Sequence, residues 1–192
     1  MTTYSRLCMA LAAAALASAC DAREGDLAEP TTVETRTAAP AASDDPGAAA
    51  QFATAEGISL MGAAELYEVP GGVRIDVVIN DAKPGTHAIH IHETDDCSDI
   101  PGKSMGDHFN PHNVKHGLPT EATRHLGDLG NIVIRDDGTA TMDVVTAGGS
   151  LREGDPETLI GRAIVIHENP DVGAQPAGDA GKPIACAPIK ST

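Results

Sequence analysis

Val73-Arg74-Ile75-Asp76-Val77-Val78-Ile79-Asn80 carries an apolar residue at every odd position. Side chains alternate between faces along a β-strand, so Val73, Ile75, Val77 and Ile79 form one apolar face while Arg74, Asp76 and Asn80 meet water. Pro70-Gly71-Gly72 before this run and Lys83-Pro84-Gly85 after it are turn sequences. The same period returns in Ala140, Met142 and Val144, which alternate with Thr141 and Asp143. Ile132 and Ile134 precede them, joined through Asp136-Asp137-Gly138, a hairpin signal. Ala163 to His167 is a further apolar strand. No stretch shows helical amphipathic spacing. Short strands punctuated by turns predict an all-β domain, an antiparallel sandwich or barrel. Polar segments at 93–130 and 168–183 interrupt the strands, and loops of that length inside a domain are usually functional.

All eight histidines fall between His87 and His167. In His87-Ala88-Ile89-His90-Ile91-His92, a strand puts His90 and His92 on one face and both isoleucines on the other. Residues two apart on a strand are separated by roughly 6.6 Å, within reach of one metal ion. His125 and Asp128 flank Gly127, and a tight turn there brings imidazole and carboxylate together. His108, His116 and His167 complete six candidate metal-ligating histidines. His87 and His112 read as ordinary surface or hydrogen-bonded residues.

The chain has 192 residues and a formal net charge of −15, which excludes nucleic acid and anionic lipid as natural partners. Arg6 followed by the apolar run Leu7 to Ala19 predicts a signal peptide over 1–19, too short for a finished transmembrane helix. Ala17-Ser18-Ala19-Cys20 resembles a bacterial lipoprotein cleavage site with Cys20 as the lipidated residue; plain cleavage after Ala19 is the alternative. Asp21 behind Cys20 resembles an inner-membrane retention signal. Residues 20–50, rich in Ala, Thr, Pro, Asp and Glu, predict a disordered tether, with the folded domain over 51–192 beginning near Phe52. The expected location is the periplasm or cell envelope, with membrane contact only through Cys20. Of four cysteines, Cys97 and Cys186 remain in the domain, and in an oxidising compartment they most simply form one disulfide.

His90-Ile91-His92, Gly106-Asp107-His108-Phe109-Asn110-Pro111, His116, His125-Leu126-Gly127-Asp128-Leu129-Gly130-Asn131 and Val165-Ile166-His167-Glu168 together resemble the copper/zinc superoxide dismutases, most closely the exported bacterial type. The resemblance spans about Phe52 to Lys190. It implies an eight-stranded Greek-key sandwich with two long functional loops. It also implies copper on His90, His92, His108 and His167, and zinc on His108, His116, His125 and Asp128, with His108 shared. His108 and His167 are the implied catalytic residues. Asp171 matches the aspartate that links a copper histidine to a zinc histidine, and Cys97 and Cys186 match the family disulfide. All-imidazole ligation suits copper and a mixed imidazole–carboxylate set suits zinc.

The implied substrate is the superoxide anion, and a homodimer is one arrangement the family uses. One departure stands out. Where the family carries an arginine beside the copper, Lys182-Pro183-Ile184-Ala185-Cys186 has Pro183, which predicts slower dismutation. Lys182 is the neighbouring candidate for guiding the anion. The rival reading is a dismutase-like module that stores or delivers copper and zinc.

Overall fold

Residues 44–192 are described by a computed structural model, and over them the chain is all-β. In chain order the strands are β1 (Ala48–Gln51), β2 (Ala53–Thr54), β3 (Met61–Val69), β4 (Gly72–Asn80) and β5 (Gly85–His92). β6 (Asp128–Ile134), β7 (Ala140–Ala147), β8 (Ala163–His167), β9 (Pro183–Pro188) and β10 (Lys190–Ser191) follow. They form two five-stranded antiparallel sheets, ordered β10-β1-β3-β4-β7 and β2-β9-β8-β5-β6. The sheets stay separate, so the domain is a sandwich and not a closed barrel. Eight strands match the expected number; β2 and β10, two residues each, are additions.

The alternation read from the sequence is what separates core from surface. Val73, Ile75, Val77 and Ile79 of β4 are fully buried or nearly so, and they meet Ile89, Ile91, Ile132, Ile164 and Ile166 of the opposite sheet. Each such aliphatic side chain contributes about 1.5–3 kcal/mol on burial. The hairpin between β3 and β4 closes at Gly71, whose φ of 89° suits glycine. Strand order gives the Greek key: β4 crosses to β5 in the other sheet, and β6 crosses back to β7, which pairs with β4.

Two expectations are revised. Asp136-Asp137-Gly138 does form a tight turn, closed by the Arg135 amide to the Thr139 carbonyl at 2.9 Å. It does not make a hairpin, because β6 pairs with β5 and β7 pairs with β4. The same turn chemistry serves here to carry the chain from one sheet to the other. The folded domain also begins earlier than Phe52. Ala48 and Ala50 are buried where β1 pairs with β3 and β10. Alanine is too small to register as an apolar strand residue, so composition alone assigns this segment to the tether. The expected signal peptide, Cys20 and most of the tether lie outside the described residues.

Cys97 and Cys186 are bonded, with Cα atoms 5.7 Å apart. The bridge fastens the 93–127 loop to β9, beside buried Met105, Ala163 and Val165. Closing a loop of 89 residues stabilises by up to about 4–5 kcal/mol on the chain-entropy model. Replacing both cysteines by serine is expected to lower the urea midpoint of metal-free protein by an amount equivalent to about 2–4 kcal/mol; an unchanged midpoint would contradict a structural role for the bridge.

Candidate metal centre

β5 turns Ile89 and Ile91 into the core and His90 and His92 to the opposite face of its sheet, as the period-two reading predicts. That face is not left to solvent. The 93–127 loop after β5 and the 168–182 loop after β8 fold over it, and His90 and His92 are buried beneath them. His167 ends β8, next to β5. The first loop folds back on β5 through three backbone hydrogen bonds among Ile91, Phe109 and Gly127, all between 2.8 and 2.9 Å. A methyl group at Gly127 would lie 2.3 Å from the Ile91 carbonyl oxygen, so only glycine permits this crossing. The guanidinium of Arg162 covers the Phe109 ring at 4.2 Å and donates to the Glu93 carbonyl, holding the same loop from the side.

Two groups of ligating atoms result. His90, His92, His108 and His167 converge in one, and His108, His116, His125 and Asp128 in the other, with the atoms of each group within 4.8 Å of one another. All seven residues are buried. His108 belongs to both groups.

Hydrogen bonds on the far side of four of the rings decide which nitrogen faces inward. His92 Nδ1 donates to the Gly106 carbonyl at 2.8 Å and His167 Nδ1 to the Gly181 carbonyl at 3.2 Å, so both carry bare Nε2 atoms. These two Nε2 atoms lie 3.3 Å apart. His90 Nε2 and His116 Nε2 donate to the two oxygens of Asp171, at 3.0 and 3.1 Å, which turns their Nδ1 atoms inward. In the second group Asp128 presents Oδ1 to the Nδ1 atoms of His108, His116 and His125 at 2.9, 3.0 and 3.3 Å. Its Oδ2 is held by the Gly117 and His125 amides at 3.1 and 2.8 Å. Since His108 Nδ1 faces Asp128, its Nε2 is left for the first group.

These groups fit metal ions. The Nδ1 atoms of His90, His116 and His125 are buried and make no hydrogen bond, and each such atom costs about 1–3 kcal/mol when left unsatisfied. Tetrahedral ligands on bonds of about 2.0–2.1 Å stand roughly 3.3 Å from one another, close to the spacings around Asp128. Protonation is also right. Burial pulls His90 and His167 down to about 4 and His92 down to about 3, so these rings are neutral and able to ligate at pH 7. Burial pushes the Asp128 carboxyl up, but hydrogen bonds from His108 and Gly117 outweigh it and hold the group at about 2. Asp171 is likewise raised by burial but held well below the usual carboxylate range by His90, Gly173 and His116.

A family model for copper/zinc superoxide dismutase (SODC) matches residues 60–189. The chain belongs to the copper/zinc superoxide dismutase family. Superoxide dismutase (Cu-Zn) 2 of Aquifex aeolicus (strain VF5) is 39% identical over 153 residues, covering 77% of this chain and 89% of that protein. Superoxide dismutase (Cu-Zn) 2 of Brassica juncea is 38% identical over 129 residues, 64% of this chain and 83% of the relative. The crystal structure of the clock protein EA4 superposes with a TM-score of 0.67 at 33% identity, over 77% of this chain and 96% of that one.

Within this family fold, His87 and His112 stay outside both groups. His87 Nδ1 instead donates to the His167 carbonyl at 2.9 Å, and His112 is exposed near Glu157. The first group opens on a cleft of about 790 Å³ lined by His92, His108, His167 and Pro183. Lys182 is exposed and is not among the lining residues; Lys103 and Lys115 are. Lys115 directly precedes His116 and Lys103 lies three residues before Gly106, but only the folded loop shows that both line the cleft. Gly127→Ala is expected to lower the melting temperature and weaken metal binding by the second group, since Asp128 is the next residue; chelator competition checks it, and unchanged affinity would contradict the crossing argument.

Proposed function

We propose that this protein is a superoxide dismutase of the cell envelope, with copper on His90, His92, His108 and His167 and zinc on His108, His116, His125 and Asp128. The observation that carries this reading is the shared imidazole of His108, which a storage or delivery protein has no need to build. The donor sets agree, four imidazoles for copper and three imidazoles with a carboxylate for zinc. Bound copper would supply reversible one-electron chemistry, so that one superoxide leaves as dioxygen and a second, with two protons, as hydrogen peroxide, while zinc would supply none.

The chain's own residues handle position and protons. His92 and His167 are fixed by the Gly106 and Gly181 carbonyls and frame the floor of the cleft. His108 uses both ring nitrogens inside the two groups, so its Nε2 could hold a proton in one half of the cycle and deliver it in the other to the departing peroxide, which takes its second proton from solvent in the cleft. Asp171 joins His90 to His116, coupling the position of one group to that of the other. The formed Cys97–Cys186 bridge supports an oxidising compartment, in keeping with export by the 1–19 segment and anchoring through Cys20.

Anion capture rests on a different set of charges from the family arrangement. Pro183 stands opposite His167 at the start of β9, where the pairing of β8 and β9 shifts register. A proline is suited to such an irregular strand start because it has no amide hydrogen to donate. It supplies no charge. Lys103 and Lys115 are the cations of the cleft lining, against Glu93, Asp107 and Asp179. A small anion is drawn by this local field over a distance that salt shortens, with a Debye length of about 10 Å at 0.1 M. We therefore read the enzyme as slower than family members that carry the arginine.

Protein loaded with both metals is expected to contain one copper and one zinc per chain and to dismutate superoxide in pulse radiolysis; one ion per chain would contradict the two-site reading. Pro183→Arg is expected to raise the second-order rate constant severalfold and to steepen its fall with salt. Lys103→Gln with Lys115→Gln should lower the rate and flatten that dependence. An unchanged rate in both variants with metals intact would contradict the capture argument.

A further inference from the structure

Asn131 lies on β6, three residues beyond Asp128, and no ligand role accounts for it. Its side-chain amide faces the 168–182 loop and engages a single residue with both of its polar atoms. Nδ2 donates to the Asp171 carbonyl at 3.0 Å, and Oδ1 accepts from the Asp171 amide at 2.7 Å. The pairing mimics the two hydrogen bonds a strand residue exchanges with its neighbour. Directly across the sheet, Ala88 of β5 pairs with Asn131 and donates its amide to the Asn169 carbonyl at 2.8 Å. The segment leading to Asp171 is therefore stitched to the sheet at two successive points.

The carboxylate of Asp171 is confined as tightly as its backbone. The Gly173 amide donates to Oδ1 at 2.8 Å. On the other side, a methyl group on Gly178 would lie 2.3 Å from the same oxygen, and the φ of 78° there also requires glycine. With the main chain clamped by Asn131 and the carboxylate enclosed by the loop, Oδ2 meets His90 Nε2 and Oδ1 meets His116 Nε2.

We infer that Asn131 is the positioning residue of this centre: by clamping the backbone of Asp171 it holds one carboxylate so that it orients a histidine of each metal group at once. The inference rests on the metal assignment proposed above. Only a side chain with a donor and an acceptor side by side can make the clamp. Asn131→Asp keeps the acceptor but sets a carboxylate oxygen against the Asp171 carbonyl, and Asn131→Ala removes both bonds. Partners one shell out from a metal typically change its affinity by about ten- to a hundredfold.

The test is a double-mutant cycle on the full chain, with zinc affinity read by competition against a chromophoric chelator. Asn131→Ala is expected to weaken zinc binding by about tenfold. In an Asp171→Ala background the same substitution should cause no further loss, because the carboxylate through which it acts is gone. The copper EPR spectrum of Asn131→Ala should shift in the same direction as that of Asp171→Ala, which general loosening of β6 would not produce. Asn131→Asp, nearly isosteric, should show a smaller loss and covers the case in which the alanine variant folds poorly. Equal losses in both backgrounds, or unaltered zinc affinity in Asn131→Ala and Asn131→Asp, would overturn the inference. Zinc uptake by the unaltered protein reports separately on the metal assignment, whereas the ratios between variants report on Asn131.

Discussion

Burying seven metal-type side chains against one face of a sheet is the constraint around which the two long loops are organised. The strands could form a sandwich without it, since the aliphatic core lies on the opposite faces of β5 and β8. The outer face is different. Imidazole nitrogens sealed from water and left without a hydrogen bond cost free energy, and three such atoms remain in His90, His116 and His125, the last two set against the Asp128 carboxylate. Their compensation is a metal ion. His108 ties the two compensations together, because one buried ring must satisfy both groups with its two nitrogens.

Five of the seven ligands, His90, His92, His116, His167 and Asp128, are oriented by partners on their far side, and those partners come from the loops. Gly106 and Gly181 supply carbonyls to His92 and His167, Asp171 supplies a carboxylate to His90 and His116, and backbone amides hold Asp128. The loops are long because they must cross the sheet face and return, and they are pinned where they do so. The Cys97–Cys186 bridge pins the first, and the Ala88 and Asn131 contacts pin the second. Scaffold and chemistry are thus built from the same contacts.

Much of this was legible in the sequence, for identifiable reasons. Alternation in Val73 to Ile79 marked the core face of β4 because that face is wholly aliphatic, and His90 with His92 marked the metal face of β5 by the same period. The His125–Asp128 turn was readable from its spacing around Gly127. What escaped reading was tertiary. Ala48 to Gln51 lacks the side-chain bulk that signals a strand, and Asp136-Asp137-Gly138 specifies a turn without saying which sheets it joins. Lys103 and Lys115 reach the cleft only because the loop folds back, and Asn131 acts through a residue 40 positions away. No local pattern carries such pairings.

The central claim is that one imidazole, His108, joins two metal ions in a single buried centre. The most direct measurement is EPR of protein carrying Cu(II) in both groups. A shared imidazole predicts magnetic coupling between the ions, seen as loss of the ordinary single-ion copper signal, and its recovery in His108→Ala. Two independent copper spectra from the unaltered, doubly loaded protein would contradict the account.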